Sequence, residues 1–71
     1  MSVENVNDYK GLLSFYAQGD SAPIGVENCT GKKDAKSHAA FLATQYGTIE
    51  IKRGDRFLCE VDESYLDNQF G

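Results

Sequence analysis

His38 is the only histidine in the 71 residues, and Cys29 and Cys59 are the only thiols. A general base works only with a partner inside hydrogen-bond reach. No serine, cysteine or acid stands at a spacing from His38 that would complete a nucleophile, base and orienting group. One imidazole, two distant thiols and scattered acids also make no recognisable zinc or calcium ligand set. His38 therefore reads as a half-buried structural histidine at the margin of an apolar helix face. Cys29 and Cys59 form no C-x-x-C pair and are too few for a disulfide scaffold, so both are expected to be reduced thiols in a cytosolic protein. No catalytic, cofactor or metal-binding residue is assigned, and the chain is expected not to be an enzyme.

Three short matches lead nowhere. Gly25 to Lys33 approximates a phosphate-binding loop, but the interval between Gly25 and Gly31 is one residue too long and no Ser or Thr follows the lysine. Arg53-Gly54-Asp55 spells an adhesion tripeptide at a place where a β-hairpin needs glycine. Asn28-Cys29-Thr30 fits the glycosylation pattern, yet no basic leader and apolar run precede it to direct export.

Charge is more informative. The net charge is −4 and the pI about 4.7, which opposes wrapping a phosphate backbone through the overall field. The acids concentrate near the end, with Glu60, Asp62, Glu63 and Asp67 interleaved with Tyr65, Leu66 and Phe70. Acids steer association and select the partner, while aromatics supply contact area. Asp62, Glu63, Asp67, Tyr65 and Phe70 are accordingly candidate partner-binding residues. Two basic spots stand apart: Lys32, Lys33 and Lys36, and Lys52, Arg53 and Arg56. If the fold brought the six together, they would form a patch for nucleic acid.

The elements that carry these residues follow from hydrophobic spacing. Residues 1–8 are polar and expected to be flexible, residues 9–61 to form one domain, and residues 62–71 an acidic tail or short helix. Tyr9 to Ala17 alternates as a strand, with Gly11, Leu13, Phe15 and Ala17 on one face and Leu12, Ser14 and Tyr16 on the other. Gln18 to Ser21 supplies a turn. A second strand follows Pro23, with Ile24 and Val26 inward and Gly25 and Glu27 outward. Thr30 is placed to cap a helix from Lys32 to Tyr46 that stops at Gly47. At about 100° per residue Ala35, Ala39, Leu42 and Tyr46 share a stripe, flanked by His38 and Ala43, while Phe41 and Ala40 lie on the outer side. Thr48 to Lys52 and Phe57 to Val61 form a hairpin around Gly54-Asp55, in a type II′ or I′ turn. Its inward residues are read as Ile49, Ile51, Phe57, Cys59 and Val61.

The expected class is α+β, a β-β-α-β-β chain with a four-stranded antiparallel sheet and one helix packed on a single face. Leu12, Tyr16, Glu27, Glu50, Lys52, Leu58 and Glu60 would then lie on an uncovered face. Tyr16, Leu58 and Glu60 there, with Phe41 on the helix, complete the candidate contact residues, and the same face would suit a homodimer. No apolar run is long enough to span a membrane.

This plan of two hairpins around the helix Lys32–Tyr46, in a very small acidic chain, resembles phage-encoded inhibitor proteins of the anti-CRISPR type and phage inhibitors of host RNA polymerase. The resemblance covers the overall plan and rests on no shared motif. It implies a non-enzymatic protein that blocks a nucleic-acid-handling host complex by stoichiometric contact in the bacterial cytoplasm.

Overall fold

The computed structural model describes residues 6–66. A 3₁₀ turn, Val6–Tyr9, leads into strand β1, Lys10–Ala17, and then β2, Gly25–Thr30. Helix α1, Lys32–Tyr46, is followed by β3, Ile49–Arg53, and β4, Arg56–Val61. The four strands form one sheet in the order β2-β1-β3-β4, and every neighbouring pair is antiparallel. The fold is α+β, with the one long helix packed on the sheet as the residue spacing predicts. β2 and β3 flank β1, so they run parallel to each other and α1 is the crossover between them.

Alternation decides the inner face. Leu13, Phe15, Ile49 and Ile51 are wholly buried, with Cys29 and Val61 beside them. Burying each large side chain contributes about 1.5–3 kcal/mol. The helix meets them with Ala35, Ala39, Ala40 and Ala43, whose lack of bulk lets its backbone approach the sheet closely. Tyr9 is also buried, and its hydroxyl interacts with the Cys59 thiol of β4.

The helix is rotated from the predicted stripe. Ala40, expected outside, is fully buried, whereas Tyr46, expected inside, is 53% exposed. Besides the sheet, the 3₁₀ turn packs on α1, and Tyr65 and Leu66 of the chain after β4 pack on the core, Tyr65 sharing a hollow with Lys36. Ala40 stands one turn beyond Lys36 on that side of the helix. The helix is thus covered on more than its sheet side, and its buried arc is wider than the predicted stripe.

The caps also differ from expectation. Gly31, not Thr30, is the N-cap residue and offers no side chain. Thr30 closes β2, and its N–H donates to Asp34 Oδ2 at 3.0 Å. The Asp34 carboxylate, in the first turn, opposes the unfavourable charge of the lysines around it. At the other end Gly47 takes φ 83° and its N–H donates to the Ala43 carbonyl. The second hairpin turns at Gly54 with φ 62°, and no described non-glycine residue has positive φ. Asp55 thus has negative φ, which selects type II′ over I′.

Candidate functional site

Register places the outer side chains in rows across the sheet. Ser14 pairs with Val26 on one side and with Lys52 on the other, and Lys52 pairs with Phe57. Tyr16 pairs with Glu50, which pairs with Glu60. This face carries Leu12, Val26 and Phe57 at 66, 50 and 52% exposure, with the Lys52 ammonium 4.5 Å over the Tyr16 ring. No described element covers it.

Two predicted members of that face lie elsewhere. Register sets Ile51 opposite Cys59 but Lys52 opposite Phe57, so Leu58 is an extra, bulged residue. A bulge shifts the alternation by one. Phe57 therefore turns outward and Leu58 packs, half-buried, against the core. Leu58 leaves the candidate contact set and Phe57 replaces it. Glu27 pairs with Leu13 and so lies on the helix side, while Val26 takes the outer position. The Glu27 carboxylate stands 3.8 Å from His38 Nε2, and the imidazole packs edge-on to Phe15 with centroids 4.9 Å apart. These contacts place His38 half-buried at the margin of the apolar helix face.

The acids gather at the β4 edge. Glu50 and Glu60 are directly opposite across β3 and β4, which sets their Cβ atoms about 4.5–5.5 Å apart. No cation among the described residues pairs with either carboxylate. Asp62 and Glu63 continue the run, exposed, where the chain leaves β4. Asp62 accepts hydrogen bonds from both the hydroxyl and the N–H of Ser64, and these hold its carboxyl below the usual range. Asp62 thereby caps a helical turn that begins at Ser64. A hollow of about 210 Å³ beside it is lined by Glu60, Asp62, Lys36 and Tyr65. Tyr65 is half-buried on the core and shows only part of its ring. Asp67 and Phe70 lie outside the described residues. Phe41 is 63% exposed on the outer side of α1.

The two basic spots do not merge as one patch of six. Arg53 Nη1 donates to the Asp8 carbonyl at 3.0 Å, and the Arg56 guanidinium stands 3.4 Å from the Asp8 carboxylate. Lys52 lies on Tyr16, on the outer face. Lys32, Lys33 and Lys36 are joined instead by Lys10 around one hollow. Lys10 has no charged neighbour in sequence to draw notice, and only its pairing with Thr30 brings it to the helix start.

Cys29 and Cys59 are free thiols on β2 and β4. Two strands intervene, so their backbones are separated by about 14 Å, beyond a disulfide's reach. Among the described residues no group of three or more His, Cys, Asp or Glu side chains is arranged to hold a metal, and no helix is long and apolar enough to cross a membrane.

No protein-family model, no curated protein and no solved structure matches the chain.

Proposed function

We propose that this protein is a non-catalytic inhibitor that covers a basic, nucleic-acid-handling surface of a larger host complex with the acidic edge and open face of its sheet. The reading is carried by the Glu50–Glu60 pair. Like charges directly opposite on a sheet are destabilising by a few tenths to about 1 kcal/mol in the free protein. A lysine or arginine from a partner placed between the two carboxylates would reverse that cost. Local choices that work against the fold are expected where a surface serves function. Phe57 and Leu12 supply apolar area on the same face, and Asp62 and Glu63 extend the field that steers a basic partner towards it.

The test is capture from a bacterial lysate by the immobilised full chain, followed by assay of the captured assembly for binding to its own nucleic acid. The expected result is a basic assembly whose nucleic-acid binding is lost at one equivalent of the protein. Capture should fall on Glu60→Gln with Asp62→Asn, and on Phe57→Ala. Capture unaffected by all three substitutions would remove the acidic edge and the open face from the reading together.

A further inference from the structure

Seven cationic side chains belong to an otherwise acidic chain, and four of them converge. Lys10 from β1 and Lys32, Lys33 and Lys36 from α1 line one open hollow of about 740 Å³, together with Thr30 and Tyr65. Ammonium groups brought together repel one another. Among the described residues the one acid in the lining is Asp34, which already accepts the Thr30 N–H. Among the described residues the hollow is therefore an open, local concentration of positive charge in a chain of opposite sign.

We infer that this lysine hollow is a contact site for the phosphodiester backbone of a short single-stranded nucleic acid. Ammonium groups are point charges suited to phosphate oxygens, and the part-exposed Tyr65 ring offers a base a face to stack on. The neighbouring hollow limits the path. It shares Lys36 and Tyr65 with the first but is lined by Glu60 and Asp62. A duplex laid across both would bring its second row of phosphates onto carboxylates, whereas one strand can keep to the lysine side. The hollow's lining shares no residue with the Leu12, Glu50, Phe57, Glu60, Asp62 and Glu63 set, and the assignment does not depend on the inhibitor reading.

Fluorescence anisotropy of a short labelled single strand, titrated with the full chain over a salt series, tests the assignment. With three phosphates neutralised the affinity should fall about 20-fold between about 50 and about 200 mM salt. Lys10→Gln, Lys33→Gln and Lys36→Gln should each weaken binding and make the salt slope shallower by about 0.7. These side chains reach the surface, and circular dichroism melts identify any variant that fails to fold. Lys32 already has an interaction partner, so it is left unaltered. Lys52→Gln, over the Tyr16 ring and outside the hollow's lining, should leave binding unchanged.

Three results would overturn the assignment. The first is no binding at low salt, and the second is a loss on Lys52→Gln equal to that at the hollow. The third is displacement of the strand, at equal charge, by inorganic phosphate, a nucleoside monophosphate or poly-glutamate. Such displacement would give the hollow to a free anion or an acidic protein. None of these outcomes alters capture through Glu60, Asp62 and Phe57, so the two proposals fail separately.

Discussion

The two faces of this sheet come from the same four strands and face opposite ways in energy. On the helix side Leu13, Phe15, Ile49 and Ile51 have no exposure, and on the open side Leu12, Val26 and Phe57 keep half or more of theirs. Neighbouring residues of one strand thus belong to different tasks. The inner set holds the domain together, and the outer set is left to contact. A small domain has little stability in reserve, about 5–15 kcal/mol for typical folds, so it cannot lend inner residues to a second purpose.

The sharpest way to break that division is a pair of matched truncations. Phe15→Ala should cost about 3–5 kcal/mol through lost burial and a residual cavity, enough to leave much of the population unfolded in a urea titration. Phe57→Ala, on the other face, should shift the same titration by under about 1 kcal/mol, since surface substitutions usually stay near ±0.5. Equal losses at the two positions would end the distinction.

How far this division was legible in the residues depends on what each element advertises. Helix Lys32–Tyr46 and the Gly54–Asp55 hairpin were readable, because a capping glycine and a turn glycine punctuate clear periodicities. The bulge at Leu58 was not. Phe57 and Leu58 are both apolar, so alternation has no way to say which of them yields its place. Glu27 was misplaced for a different reason. A carboxylate looks outward until His38, eleven residues on, is seen to meet it from the helix. Four alanines gave the helix too weak a contrast to fix its rotation. Of the candidate contacts, Tyr16 and Glu60 could be placed by pairing alone. Lys10 could not be linked to Lys33 and Lys36 before the β1–β2 register was known.

A second test uses ionisation inside the buried face. Burial first, and then the hydrogen bond and the charge of Cys59 with Asp8 nearby, push the Tyr9 hydroxyl well above its ordinary value of 10.0. Burial, with Asp34 and Glu27 adding their charge, likewise pushes the Cys29 thiol above 9.0. Both groups are neutral in the fold and ionise more readily when unfolded, so their contribution is whole at neutral pH. It is lost as pH rises above about 9 for Cys29 and above about 10 for Tyr9, at up to about 1.4 kcal/mol per pH unit for each group. Thermal melts should decline through that range, and Tyr9→Phe should flatten the part above pH 10. A flat profile would mean that the inner face tolerates charge and is less sealed than its burial indicates.

Gly11 tests the boundary where the strand begins. It takes φ 99° within β1 opposite Cys29, and a Cβ there would stand 3.9 Å from Arg53 Nη2. Space is therefore adequate and conformation is the obstacle. Gly11→Ala should cost about 1–2 kcal/mol, read as a lower urea midpoint. A neutral result would show that the strand can relax to ordinary β geometry without disturbing the Arg53–Asp8 clamp.

The smallest effect has the opposite sign and therefore discriminates best. Glu60→Gln removes one of two opposed carboxylates while keeping the size and polarity of the side chain. On the inner face nearly any change lowers stability. Here the free domain should become more stable, by about 0.2–1 kcal/mol, because like-charge repulsion across the strands is relieved. The gain should shrink in high salt, which screens exposed charges over about 10 Å at 0.1 M and about 3 Å at 1 M. If the pair is kept for a basic partner, the same substitution should weaken capture while strengthening the fold. A stabilised variant with undiminished capture would mean that the repulsion serves nothing on this face. A destabilised one would mean that Glu60 has a cation in the native fold after all, and the contrast between the two faces would then have to be drawn without it.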